Sequence, residues 1–116
     1  LMNIVKNNQP PPIYVVSGGR GLAGNNLVQS LLIQYPNNNI SVIIVSQVSN
    51  DSQIFDVIMK AKTDGGLITH TMVTPELRQK VNEMGKEFGV KVIDLMGNLA
   101  EYLDETLDVE PLKHPD

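Results

Sequence analysis

Cysteine is absent from all 116 residues. That excludes disulfides, a thiolate nucleophile and any cysteine-ligated zinc site. Tryptophan is absent too, and aromatic residues make up only 4%. The core must therefore be assembled from Val, Ile, Leu and Met. The two histidines, His70 and His114, stand far apart in the sequence, so no metal site is expected. Lys and Arg nowhere cluster, and the formal net charge is -4. Nucleic acids are recognised through a basic footprint that releases counterions, so none is expected as a partner. A single local phosphate is still compatible with an acidic chain. The longest apolar run, Ile40 to Val45, is far shorter than the roughly 20 residues a membrane-spanning helix needs. No charged stretch followed by a long apolar one opens the chain. The expectation is a cytoplasmic protein without a membrane partner.

What is present is ordinary globular composition, 41% hydrophobic and 19% charged, at a length that suits one core. Residues 1–12, with three consecutive prolines, read as an extended polar leading segment. Ile13 to Ser17 reads as a strand. Leu22 to Tyr35 reads as an amphipathic helix on Leu27, Leu31 and Leu32, with Val28 flanking, closed by Pro36 and three asparagines. Ile40 to Val45 is so apolar that it predicts a strand inside a parallel sheet, covered on both faces. Asp51-Ser52 is a helix start, and Ile54, Val57, Ile58 and Ala61 recur at helical spacing up to Gly65-Gly66. Leu67 to Met72 is a third strand. Thr74-Pro75-Glu76 starts another helix, with Thr74 as cap, a core stripe of Leu77, Val81, Met84 and Phe88, and Gly89 as its end. Val90 to Leu95 and Asn98 to Leu107 complete the series. The order βαβαβαβα predicts an α/β three-layer sandwich with a mostly parallel four-stranded sheet, Rossmann- or flavodoxin-like. The expected organisation is one α/β domain over 13–111 and a tail over 112–116.

One loop has the spacing of a chemical motif. SGGRGLAGN, residues 17–25, holds Gly19, Gly21 and Gly24 as G-x-G-x-x-G between a strand and a helix. Amide groups at a helix N-terminus favour an anion, and Arg20 could add a charge-assisted contact. A dinucleotide site also expects an acid at the end of the second strand. Here that place reads Ser46-Gln47-Val48-Ser49. The loop is therefore either a tight turn or an anion site, with the dinucleotide reading the weakest. Ser17, Gly19, Arg20, Gly21, Ser46 and Thr71 fall at carboxyl ends of strands, where α/β sheets bind ligands, and are the candidate ligand-binding residues. Gln47 and Thr74 share that edge, although Thr74 and Asp51 are also explained as helix starts. His70 would need a carboxylate to act as a base; Asp94 is its conceivable neighbour, and a strand histidine bonded to backbone is the plainer reading. Glu101, Asp104, Glu105, Asp108 and Glu110 read as a solvated acidic face. No catalytic residue is assigned.

The second half resembles a known family. Thr71, then Pro75-Glu76-Leu77-Arg78, then Gly89-Val90, Ile93-Asp94-Leu95 and Asp108-Val109-Glu110-Pro111 follow the order and spacing found near the N-terminus of the pyruvate, phosphate dikinase and phosphoenolpyruvate synthase regulatory proteins. In the first loop the chain keeps Ser17 and Gly21 but has Gly18, Gly19, Arg20, Leu22 and Ala23 where the family is polar. The resemblance implies regulation of a dikinase or synthase by ADP-dependent phosphorylation of a threonine, reversed by phosphorolysis, with ADP or ATP as cofactor of the full-length protein and a homodimer as its assembly. It attributes that chemistry to a C-terminal domain with a G-x-x-x-x-G-K-[ST]-like loop. No such loop occurs in these 116 residues, so the expectation is an N-terminal regulatory domain, not catalytic by itself, whose tail leads to that further domain. The alternative is a stand-alone nucleotide- or phosphate-binding domain using residues 17–25.

Overall fold

A computed structural model describes residues 9–115. The first eight residues of the expected leading segment, and the last residue of the tail, lie outside them. The elements are β1 (Ile13–Val16), α1 (Leu22–Leu32), β2 (Val42–Val45), α2 (Asp51–Asp64), β3 (Leu67–His70), α3 (Pro75–Phe88), β4 (Val92–Asp94) and α4 (Gly97–Thr106). The four strands form one all-parallel sheet in the order β2-β1-β3-β4. The chain first steps from β1 to β2 and then crosses back to β3, so the strand order reverses between β1 and β3.

Local chemistry explains the element ends. The Asn50 carboxamide oxygen accepts the Gln53 amide at 2.9 Å and caps α2. The cap is thus one residue earlier than Asp51, which becomes the first helical residue beside the positive end of the dipole. Gly65 and Gly89 close α2 and α3 at φ 75° and 71°, a conformation costly for any residue with a Cβ. Thr74 does occupy the N-cap of α3, but its hydroxyl makes no capping bond. The fixed φ of Pro75 starts that helix instead.

The main core lies between the sheet and the α2–α3 layer. Tyr14 and Val16 of β1 and Ile68 of β3 meet Ile54, Ile58 and Ala61 of α2 and Val81 of α3, all buried. The expected stripe of α3 faces this core, with Leu77, Met84 and Phe88 packed against it. The Phe88 ring meets Phe55 edge-on at 5.7 Å. Tyr14 donates its hydroxyl proton to the Asp64 carboxylate. Burial, reinforced by that carboxylate, pushes the phenol up to about 12.

Two expectations about the other side are corrected. β2 is an edge strand, not an interior one, and Ile43 and Ile44 are each about two-fifths exposed. Helix α1 buries the flanking Val28 together with Gly24, whereas Leu27 and Leu31 of the expected stripe stay exposed. The reason is Gly24. A Cβ there would lie 2.9 Å from a Val15 methyl and 3.3 Å from the Thr71 methyl. The bare glycine lets the helix settle on the sheet face opposite the main core, and it turns the leucines outward.

Candidate functional site

The carboxyl ends of β1, β2 and β3 converge where the strand order reverses. The Thr71 amide donates to the Val16 carbonyl at 3.2 Å, the Ser17 amide to Val45 at 3.0 Å, and the Gln47 amide to Gly19 at 2.9 Å. Ser17, Gly19, Gly21, Ser46 and Thr71 therefore do come to one edge. They do not form an open cradle. Ser17 and Thr71 are buried, and the Ser17 hydroxyl accepts the Gly19 amide at 2.9 Å. That amide is one an anion would need. Gly21 sits at φ 81°, and a Cβ on it would come within 2.7 Å of an Ile44 methyl. In a dinucleotide turn the space beside this glycine admits the pyrophosphate; here the neighbouring strand fills it. Gly24, pressed on Val15, does play the helix-packing part of the fingerprint's third glycine. Two features of an anion site persist: α1 has no side-chain cap and no acid in its first turn, and Arg20 is exposed beside it.

The crevice at this edge, about 360 Å³, is lined by Gly18, Val48, Met72, Val73 and Leu77 together with the polar Ser49 and Thr74, and Lys113 and Pro115 of the tail lie across it. None of the six candidate residues lines it. Its walls are mostly apolar.

A second constellation sits at the carboxyl ends of β3 and β4. His70 is fully buried and pairs in register with Asp94, the neighbour the sequence suggested. The Met72 amide donates to His70 Nδ1 at 3.3 Å, so Nδ1 is the bare nitrogen. Nε2 then carries the proton and meets the Asn82 carboxamide oxygen at 3.2 Å. The Asp94 carboxylate stands 4.0 Å from Nε2 and accepts from Arg78 at 3.2 Å and from the Met96 amide at 3.0 Å. Burial lowers the His70 pKa. Asp94 and the Asn82 bond pull it back up, and Arg78 pushes it down again. With both ring nitrogens engaged and the ring sealed, His70 as seated is no general base; it fixes the β3–α3 seam. It is a strand histidine bonded to backbone, but fully buried and tied to a side chain as well.

Asn82 was not legible as a site residue, and Arg78 only as part of a helix start. The missed signal is their spacing: Arg78, Asn82 and Lys86 recur every four residues and share one face of α3. That face lines an open groove of about 540 Å³ against Asp94, Asn98 and Glu101. Among the described residues no three His, Asp or Glu side chains gather as a metal site. No described helix is long and apolar enough to cross a membrane.

The neutral His70 gives a pH prediction. Its folded pKa lies below 6.5, so the unfolded chain binds the extra proton. The stabilisation is complete above pH 6.5 and is lost as pH falls through 6.5 toward the folded value. Urea unfolding at pH 7.5 and 5.5 should show this loss, and His70→Asn should lack most of it. An equal loss in both proteins would refute the assignment.

A family model described as kinase/pyrophosphorylase matches residues 13–116. Similar curated proteins include a pyruvate, phosphate dikinase regulatory protein of Chloroflexus aurantiacus, 37% identical over 105 residues, covering 90% of this chain and 38% of the relative. One from Desulfotalea psychrophila is 33% identical over 115 residues, covering 99% and 41%. Another from Listeria monocytogenes is 30% identical over 105 residues, covering 90% and 38%. The chain thus spans about two-fifths of the length of these relatives.

Proposed function

Because the chain belongs to the kinase/pyrophosphorylase family, we propose that it serves as the N-terminal regulatory and interaction domain of a pyruvate, phosphate dikinase regulatory protein, with residues 13–111 as that domain. The reading holds that phosphate transfer to a dikinase threonine, and its phosphorolytic removal, belong to the further part that the longer relatives have, together with ADP or ATP. The supporting observation is the glycine loop. It is stitched into the fold by Ile44 against Gly21 and by the Ser17 hydroxyl on the Gly19 amide, and its only exposed charged side chain is Arg20. In this reading residues 13–111 recognise the target, and the fold works in the cytoplasm.

The test is direct. The 116-residue chain, a pyruvate, phosphate dikinase and ADP are incubated together, and threonine phosphorylation is read by mass spectrometry. No transfer is expected from this chain, while it should bind the dikinase in calorimetry. Clear transfer overturns the non-catalytic role, and absence of binding overturns target recognition.

A second reading is favoured by one feature, the uncapped start of α1 next to Arg20. There the loop takes a phosphate or nucleotide. Titration with inorganic phosphate, ADP and NAD should then give heat that Arg20→Ala abolishes. No heat at millimolar ligand sinks this reading.

A further inference from the structure

The sheet has two edges, and the one at β4 borders a groove. The Lys91 carbonyl accepts the Ile68 amide at 3.0 Å, and the Leu95 amide donates to the His70 carbonyl at 2.9 Å. Alternate residues of a parallel ladder turn toward the same neighbour, so Lys91, Ile93 and Leu95 face β3. Val92 and Asp94 therefore turn their amide and carbonyl groups outward, and among the described residues no strand pairs with them. Both residues are half-buried, because a helix stands beside them. Gly85 brings α3 so close that a Cβ on it would collide with a Val92 methyl. Asn82 and Lys86 of the same helix line two openings at once. One is the opening of about 540 Å³ that reaches Asp94, and the other, of about 380 Å³, reaches Lys91 and Val92. The two make one groove, with α3 along one side and the open edge of β4 along the other.

The charged groups of this groove are unevenly committed. Asp94 is neutralised by Arg78, and Glu83 accepts from Gln79 at 2.7 Å. The Asn82 oxygen is held by the imidazole, which leaves its NH2 group to the groove. Lys86 and Lys91 are exposed and, among the described residues, make no ion pair. The stretch that reaches Val92 is lined by these two lysines and by no carboxylate. Glu83 and Glu101 line only the other stretch. In a chain of net charge -4, the lysine stretch is a local reversal of sign.

We propose that this groove docks an extended acidic segment of a partner polypeptide, which joins the sheet as a strand outside β4 and sets its carboxylates against Lys86 and Lys91. The edge fits a backbone. Val92 and Asp94 each present a donor and an acceptor, about 7 Å apart along the strand, and another extended chain supplies both at that repeat. The lysines then select the chain. An edge preceded by Lys91 and ending in Asp94 is guarded against uncharged strands. Carboxylates opposite the lysines turn that guard into complementarity. Three residues of strand supply few backbone bonds, and exposed charge pairs add little each, so a Kd on the order of 100 µM is expected.

The proposal goes beyond the dikinase reading and is tested without a dikinase. The probes are capped peptides of about ten residues: alternating Thr-Glu, alternating Thr-Lys, and Thr-Glu with its central backbone nitrogens methylated. In an NMR titration of the 116-residue chain, the Thr-Glu peptide should shift the Val92 and Asp94 amides and slow their hydrogen exchange. Val42 and Ile44, at the β2 edge, should not respond. Lys86→Glu should weaken binding at least tenfold with an unchanged circular dichroism spectrum, and Lys91→Glu should weaken it as well. The Thr-Lys and methylated peptides should each bind at least tenfold more weakly than Thr-Glu. Absence of any shift at about 1 mM Thr-Glu peptide overturns the proposal. Equal binding of the Thr-Lys peptide overturns the acidic partner. Equal binding of the methylated peptide reduces the groove to a charge patch and overturns the strand pairing. Shifts centred on β2 instead of β4 overturn it equally.

Discussion

Asp94→Ala is expected to lower the unfolding free energy by about 3 kcal/mol. The carboxylate holds three groups at once. It accepts from Arg78 and from the Met96 amide, and it lies 4.0 Å from His70. Its removal leaves the Arg78 guanidinium, only one-fifth exposed, without its counter-ion, and frees the amide that shapes the turn into α4. Asp94→Asn should cost roughly half as much, because its carboxamide oxygen can still accept from Met96. The second readout is His70. Asp94 raises that pKa against burial, so an NMR titration of Asp94→Asn should find the imidazole harder still to protonate. Urea unfolding at pH 7 supplies the energies. A loss below about 0.5 kcal/mol, the range of an ordinary surface change, would show that the cluster does not hold the seam.

Ile58→Ala should cost about 3–4 kcal/mol, and Ile43→Ala less than about 1 kcal/mol. Both are isoleucines within apolar runs. Ile58 is fully buried in the α2–α3 core, whereas Ile43 is two-fifths exposed on an edge strand. Removing Ile58 leaves a cavity in a packed layer, while the surroundings of Ile43 can collapse or hydrate. At about 4 °C per kcal/mol, the first change should lower Tm by about 12–16 °C. Scanning calorimetry reads the difference. Comparable losses at the two sites would mean that β2 is covered on both faces after all.

That comparison marks what the sequence could convey. The βα order, the α3 stripe of Leu77, Val81, Met84 and Phe88, and the glycine end at Gly89 were legible because each depends on nearby residues. The resemblance read from Pro75-Glu76-Leu77-Arg78 and Ile93-Asp94-Leu95 agrees with the family match over 13–116. The place of β2 was not legible. An apolar strand reads as interior whether it is buried by its own chain or not, and only the crossover from β2 back past β1 puts it at the edge. α1 misled for a related reason: Leu27 and Leu31 have the right spacing, but Gly24 chose the face by permitting a closer approach. At the candidate site the glycine spacing was visible, whereas its use depends on an Ile44 methyl that lies 23 positions beyond Gly21 in the chain. His70 and Asp94 were named as possible neighbours from strand order alone. Asn82, which receives the imidazole proton, needed the register of α3 against β3.

The strand order also governs how the chain can assemble in time. β1 lies between β2 and β3, and its partner on the β3 side, Leu67 to His70, comes more than fifty residues later. Such a pairing must wait for a long loop to close. During synthesis, β1, α1, β2 and α2 all leave the ribosome before β1 has its second neighbour. Throughout that interval both edges of the β1–β2 pair are bare, and one of them is the uncharged Val42 to Val45. Residues 9–66 alone should therefore be a poor folding unit, prone to aggregate, and the commitment to the native sheet should fall at the emergence of β3.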